Sequence, residues 1–183
     1  MRILAISGSL RSLSSSTSIV RAAALLAPAG VHITIYEGLA ELPHFNPDLD
    51  REGDVPQPAV AELRRLIGES DALLISTPEY AHGIPGTLKN ALDWLVSSLE
   101  FPGIAVSIIN PSAYSFHANE SLTEVVRTMS AQLPTGASAR IALPRRSMNE
   151  TEVVADPALA NAIRGILAAL IAHGPRDNPA FTL

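Results

Sequence analysis

Short, continuously apolar runs alternate along this chain with longer stretches in which apolar residues recur every three or four positions. The runs RILAIS (2–7), HITIY (32–36), ALLIS (72–76) and IAVSII (104–109) are short and mostly β-branched or aliphatic, which predicts buried strands. Helical spacing runs over about 16–27, 57–69, 85–99 and 119–132, with a last helix at about 156–173. A weaker fifth strand is expected within ASARIAL (137–143). Strands alternating with helices predict an α/β sandwich with a parallel sheet covered on both faces. The length of 183 residues suits one domain over residues 1–183, and a chain of this size buries roughly 70% of its unfolded surface.

In open parallel sheets, ligands bind beyond the carboxyl ends of the strands where the strand order reverses. With the order 2-1-3-4-5, that reversal lies between the first and third strands. The loops leaving those strands are SGSLRSLSSST (7–17) and TPEYAHGIPG (77–86). From Ser7 to Ser18 the chain holds seven serines, one arginine and one glycine, at the start of a predicted helix. A helix start offers free N–H groups and a partial positive charge, which together receive anions. Ser9, Ser14, Ser16 and Thr17 can add hydroxyl donors, and Arg11 a guanidinium fork, so the pattern points to a phosphate. A serine-rich turn that merely caps the helix is the plainer reading, but a cap needs only one hydroxyl.

In the second loop, Pro78 and Gly83 suit an irregular turn and Pro85 suits the first turn of a helix. Leu88, Ala91, Leu92 and Leu95 then form an apolar face flanked by Trp94, and Lys89 and Asp93 read as a surface ion pair. The connection from Gly38 to Pro56 is long for a compact domain, so it is expected to be a functional flap or partly disordered.

Composition removes other chemistries. The chain has no cysteine, which excludes disulfides and thiolate chemistry and weakly favours a cytoplasmic address. The net charge of -5 and few aromatics disfavour nucleic acid as a partner. No apolar run reaches about 18 residues, so no membrane partner is expected. The residues after Arg2 do not form a signal peptide, which leads us to expect that the mature chain begins here. The five histidines show no metal-ligand spacing, so no metal is expected. Neither a G-x-x-x-x-G-K-[ST] loop nor a G-x-S-x-G elbow is present. PRRS (144–147) reads as a solvated basic patch or a contact for a 2′-phosphate.

GSLRSLSSSTSIVRAA after the first strand, LAELPHFNPDLD after the second and TPEYAHGIPGTLKNALDWL after the third resemble the NADPH-dependent FMN reductase family in order and spacing. The resemblance covers roughly residues 1–132 and implies a flavodoxin-like three-layer sandwich. It implies that Ser9, Arg11, Ser14, Ser16 and Thr17 hold the FMN phosphate, and that Pro78, Glu79, Tyr80 and Ala81 run along the isoalloxazine. Ser112 and Tyr114, in the loop after the fourth strand, join these as cofactor-binding candidates. The resemblance also implies NADPH or NADH as co-substrate and a homodimer or homotetramer with the 85–99 helix near its interface.

Three departures stand out. Ser16 replaces a common asparagine, Ala81 and Gly83 replace polar residues, and NPSAYSFHANES (110–121) lacks the glycines usual there. Tyr114, Phe116 and His117 are therefore expected to restrict the ring, stack on it or shape a different acceptor pocket. The resulting expectation is an FMN-dependent NAD(P)H oxidoreductase reducing free FMN or another small acceptor. A quinone or azo-compound reductase, a non-enzymatic electron carrier and an interaction module that has lost flavin are the alternatives.

Overall fold

A computed structural model describes residues 1–51, 53–145 and 148–175. Five parallel strands, β1 (Arg2–Ser7), β2 (His32–Tyr36), β3 (Ala72–Ser76), β4 (Ala105–Asn110) and β5 (Ala139–Arg140), form one sheet in the order β2-β1-β3-β4-β5. The runs of β1, β3 and β4 lack polar alternation because these strands bury both faces, whereas β2, expected to be buried, is an edge strand whose alternate residues His32 and Thr34 are exposed. Ile3 and Ala5 of β1, Leu74 of β3 and Ile109 of β4 pack in one apolar cluster, while Leu4, Ile6, Leu73, Ile75, Val106 and Ile108 pack in the other.

Helices cover both faces. The first cluster is closed by α1 (Ser15–Leu25), α5 (Glu150–Ala155) and α6 (Pro157–Ala172), through residues such as Ile19, Val153 and Ile163. The second is closed by α2 (Pro58–Gly68), α3 (Gly86–Asp93) and α4 (Phe116–Thr128), through Leu63, Leu88 and Leu122. This is the three-layer flavodoxin-like sandwich expected from the sequence.

Several boundaries differ, each for a local reason. The helix expected over 85–99 stops at Asp93. The Trp94 carbonyl is taken by Arg64, whose Nε and Nη2 lie 3.1 and 2.6 Å away. The single helix expected at 156–173 is preceded by α5, capped reciprocally by Asn149 and Glu152, and α6 begins at Pro157 under the Asp156 carboxylate. The fifth strand contracts to Ala139–Arg140.

The long connection after β2 is held against the helices in its described residues. Asn90 on α3 donates to the Pro43 carbonyl (2.9 Å) and accepts from the Phe45 N–H (2.8 Å). Trp94 donates from Nε1 to the same Pro43 carbonyl (2.8 Å) and meets the Phe45 ring edge-on at 5.1 Å. Further along, Arg64 grips both carboxylate oxygens of Asp50 at 2.9 and 2.8 Å. The connection is a belt fastened to α2 and α3.

Candidate functional site

Gly8 leaves β1 and turns against β3, its N–H donating to the Ser76 carbonyl at 2.8 Å. A Cβ here would lie 2.6 Å from the Thr77 hydroxyl oxygen and 3.0 Å from a Leu88 methyl, so only glycine lets the two loops approach this closely. The loop then folds on itself, with the Arg11 N–H donating to Ser9 Oγ (3.3 Å). Ser14 takes the N-cap position of α1, yet its side chain makes no capping bond. The plainer account of the serines as caps therefore fails at the cap itself.

A cavity of about 380 Å³ opens beside this helix start. Ser9, Arg11, Ser14 and Ser16 form one wall, Pro78, Glu79 and Tyr80 a second, and Ser112 and Tyr114 part of a third. The structure thus brings together the residues expected from the sequence, apart from two. Thr17 is outside the lining, and its hydroxyl pairs with Ser7 Oγ at 2.9 Å, fastening α1 to the end of β1. Ala81 is also outside it, at the tip of a two-residue turn closed by reciprocal bonds of 3.0 Å between Tyr80 and Gly83.

Ala81 and His82 both have positive φ, 49° and 59°, as a type I′ turn requires. Such a conformation strains an alanine by roughly 1 kcal/mol. His82 gains a partner in return, since its ring stacks on that of His117 at 4.2 Å. Ala81→Gly is expected to raise stability by about 0.5–1 kcal/mol through relief of that strain, read as a higher urea midpoint. A lower midpoint would show that the turn tolerates Ala81 without strain.

Three buried side-chain oxygens, those of Ser16, Ser76 and Ser98, lack a hydrogen-bond partner among the described residues, and of these only Ser16 lines the cavity. A buried hydroxyl without a partner is costly, so its position in the first turn of α1 marks a place built for an acceptor. Arg11 is exposed and has no carboxylate within ion-pair distance among the described residues. The one carboxylate in the lining, that of Glu79, accepts from the Ala118 N–H at 2.9 Å and so serves the N-terminus of α4. The residues present fit an anion.

A second, larger cavity of about 840 Å³ lies beside β2, lined in part by Tyr36, Glu37, Glu41 and Glu62. Burial, and then the charges of Glu41 and Glu62, push the Tyr36 hydroxyl up to about 12. A phosphate would meet the same negative field, so size does not decide between the cavities; the sign of the charge does.

Two residues that sequence reasoning missed connect the loops behind the first cavity. Asn110, fully buried at the end of β4, donates to the Thr77 carbonyl (3.0 Å) and accepts from Asn119 Nδ2 (2.8 Å). The only signal was a polar residue ending an apolar strand. α4 begins at Phe116, so Phe116, His117 and Asn119 belong to its first turns, and the true loop is Pro111–Ser115. Tyr114 is 83% exposed; it stands at the rim and does not fill the cavity. Of the basic patch at 144–147, Arg145 pairs with Glu152 at 2.6 Å, while Arg146 and Ser147 lie outside the described residues. Among the described residues no group of three or more histidine, aspartate or glutamate side chains is placed to hold a metal, and no helix is long and apolar enough to cross a membrane.

The reversed strand order, with an anion-receiving crevice at the reversal, defines a flavodoxin-like α/β protein. Solved structures agree on the fold. The flavoenzyme NAD(P)H:(acceptor) oxidoreductase FerB from Paracoccus denitrificans superimposes with a TM-score of 0.70 at 21% identity, over 94% of this chain and 98% of that one. The apo form of the NADH:FMN oxidoreductase EMOB does so with 0.63 at 21% identity, over 98% and 92%. The family model of the NADPH-dependent FMN reductases matches residues 1–142, and the chain belongs to that family.

Among curated relatives, it is 38% identical over 118 residues to an NAD(P)H-dependent FMN reductase of Pseudomonas aeruginosa, 63% of this chain and 62% of that protein. It is 34% identical over 95 residues to a quinone reductase of Escherichia coli, 52% and 50% of the two chains. An NADPH:quinone oxidoreductase of Arabidopsis thaliana is 41% identical over 97 residues, 51% and 48%. The chain thus spans between about half and three fifths of the length of these relatives.

Proposed function

We propose that the cavity at the start of α1 holds FMN and that the protein is an NAD(P)H-dependent oxidoreductase that reduces free FMN or another small acceptor. The observation that carries this reading is the buried Ser16 hydroxyl without a partner beside Arg11, in a member of the NADPH-dependent FMN reductase family. When bound, the flavin supplies the redox chemistry, taking hydride from the nicotinamide and passing electrons on.

The chain's own residues bind and orient. In this reading, Arg11 and the hydroxyls of Ser9, Ser14 and Ser16 hold the phosphate, and the α1 N-terminus adds its field. Pro78, Glu79 and Tyr80 form a wall for the ring. The Glu79 carboxylate, engaged on Ala118, fixes that wall against α4. Thr17 acts through Ser7 by fixing the helix start, and Ala81 by shaping the turn that presents Tyr80. Ser112 and Tyr114 face them from the loop after β4.

Reduction of quinones or azo compounds at the same site is favoured by one feature, the half-exposed or exposed rings of Tyr80, Tyr114 and Phe116 near the mouth. Flat aromatic acceptors suit such a rim. The reading includes a cytoplasmic address, where reduced nicotinamide nucleotides are at hand. It also includes a homodimer or homotetramer, supported by the exposed Val96 and Leu99 just past α3.

Titration with FMN, followed by anaerobic addition of NADPH or NADH, tests the proposal. Quenching of flavin fluorescence on binding and loss of flavin colour on reduction are expected. FMN bound but not bleached would leave an electron carrier; no FMN binding would leave an interaction module. Ser16→Ala tests the phosphate site separately. Its expected effect is stability within about 0.5 kcal/mol of the parent without ligand, and FMN affinity lowered by about 0.5–1.5 kcal/mol. Unchanged affinity would remove Ser16 from the site.

A further inference from the structure

Arg140 ends β5, at the carboxyl end of the sheet, in register with Asn110 of β4. Its guanidinium lies 3.6 Å from the centroid of the Phe116 ring. Phe116 opens α4 directly after Ser115, and Tyr114 and Ser115 both line the cavity. Arg140 is exposed and, among the described residues, has no carboxylate within ion-pair distance. A cation stacked on an aromatic face keeps the edge of its plane free, with its N–H donors pointing outward, and part of the entropy of holding it in place is already lost.

Among the described residues, Arg140 shares the lack of a carboxylate partner with Arg11, Arg21 and Arg164, and of these four it is the one seated on an aromatic ring. The chain carries a net charge of -5, and Arg2, Arg51, Arg64, Arg65, Arg127 and Arg145 are all paired with carboxylates. Arg140 adds its charge to the N-terminal pole of α4. Seated on an aromatic ring next to the loop that lines the cavity, it is available to a ligand.

We propose that Arg140, held over the Phe116 ring, anchors an anionic substituent of a planar substrate at the mouth of the cavity. The shared chemistry is a phosphate, sulfonate or carboxylate carried by an aromatic ligand. Two sources present it: the 2′-phosphate of a nicotinamide donor, or an acidic group on the electron acceptor. The proposal rests on the reading of this cavity as the redox site.

Equilibrium dialysis against protein loaded with FMN tests it without turnover. The donor arm compares 2′,5′-ADP with AMP, and the acceptor arm compares naphthalene-2-sulfonate with 2-naphthol. Arg140→Met keeps an unbranched stem over Phe116 and removes the charge. In one arm it is expected to weaken the anionic ligand about five- to tenfold while the comparison ligand changes less than twofold. The arm that responds names the source. Arg140→Lys should restore part of the loss, because it keeps the charge without the planar fork. An unchanged ratio of the paired ligands in both arms, or no binding of either anionic ligand to the parent protein, would overturn the proposal. Equal weakening of both members of a pair would do the same, by showing that Arg140 only packs against Phe116. Failure of the parent protein to take up FMN in the preceding titration would instead count against the redox reading, and the same dialysis on ligand-free protein would still decide the anchor.

Discussion

Trp94→Ala is expected to lower the stability of the protein by about 3–5 kcal/mol, the range for truncating a large buried aromatic. Trp94 is 0% exposed, donates to the Pro43 carbonyl at 2.8 Å and receives the edge of Phe45 at 5.1 Å. Removing it empties the centre of the cluster formed by α2, α3 and β3 and unfastens the belt after β2. In a chain of this length each kcal/mol moves the melting temperature by about 2–4 °C, so a fall of about 6–20 °C is expected in calorimetry.

Trp94→Phe fills most of the space and should cost less, chiefly the lost bond to Pro43. FMN affinity, measured at a temperature where the variant is folded, is expected to stay within about threefold, because neither Trp94 nor the belt lines the cavity. A large affinity loss in folded Trp94→Ala would show that the belt is coupled to the site. The sequence places Trp94 beside the apolar face of its helix; the structure buries it completely within its own chain.

Arg11→Ala is expected to weaken FMN binding by about 1.5–3 kcal/mol, the range for a hydrogen bond to a charged group, which is a factor of about 10–150 in Kd. Riboflavin lacks the phosphate and should lose less than about threefold. Arg11→Lys should fall between, keeping a charge but not the fork. Raising salt should narrow the difference between the parent protein and Arg11→Ala, since Arg11 is exposed and its field is screened over about 8–10 Å. Equal losses for FMN and riboflavin, both read by quenching of flavin fluorescence, would refute the assignment of Arg11 to the phosphate.

The sequence by itself determined the features that repeat locally. Short apolar runs announced four strands, of which β1, β3 and β4 are buried and β2 is an exposed edge, periodic ones announced the helices between them, and hydroxyls massed at a helix start pointed to a candidate anion site. These signals are legible because each depends on residues within one or two turns of one another. Even the missed helix α5 had such a signal, the reciprocal capping pair Asn149 and Glu152.

The tertiary structure decided what depends on partners far apart in the chain. α4 starts at Phe116, ahead of any apolar periodicity, because the Glu79 carboxylate, 39 residues away, accepts from its first turn. α3 ends at Asp93 because Arg64 takes the next carbonyl, and the belt is ordered because Asn90 and Trp94 bind Pro43. Thr17 leaves the crevice because Ser7 is within reach, and Arg140 meets Phe116, 24 residues earlier in the chain, because β5 ends beside the start of α4. A single hydrogen bond between distant residues leaves no periodic trace in the sequence, since either partner alone looks like any other polar surface residue.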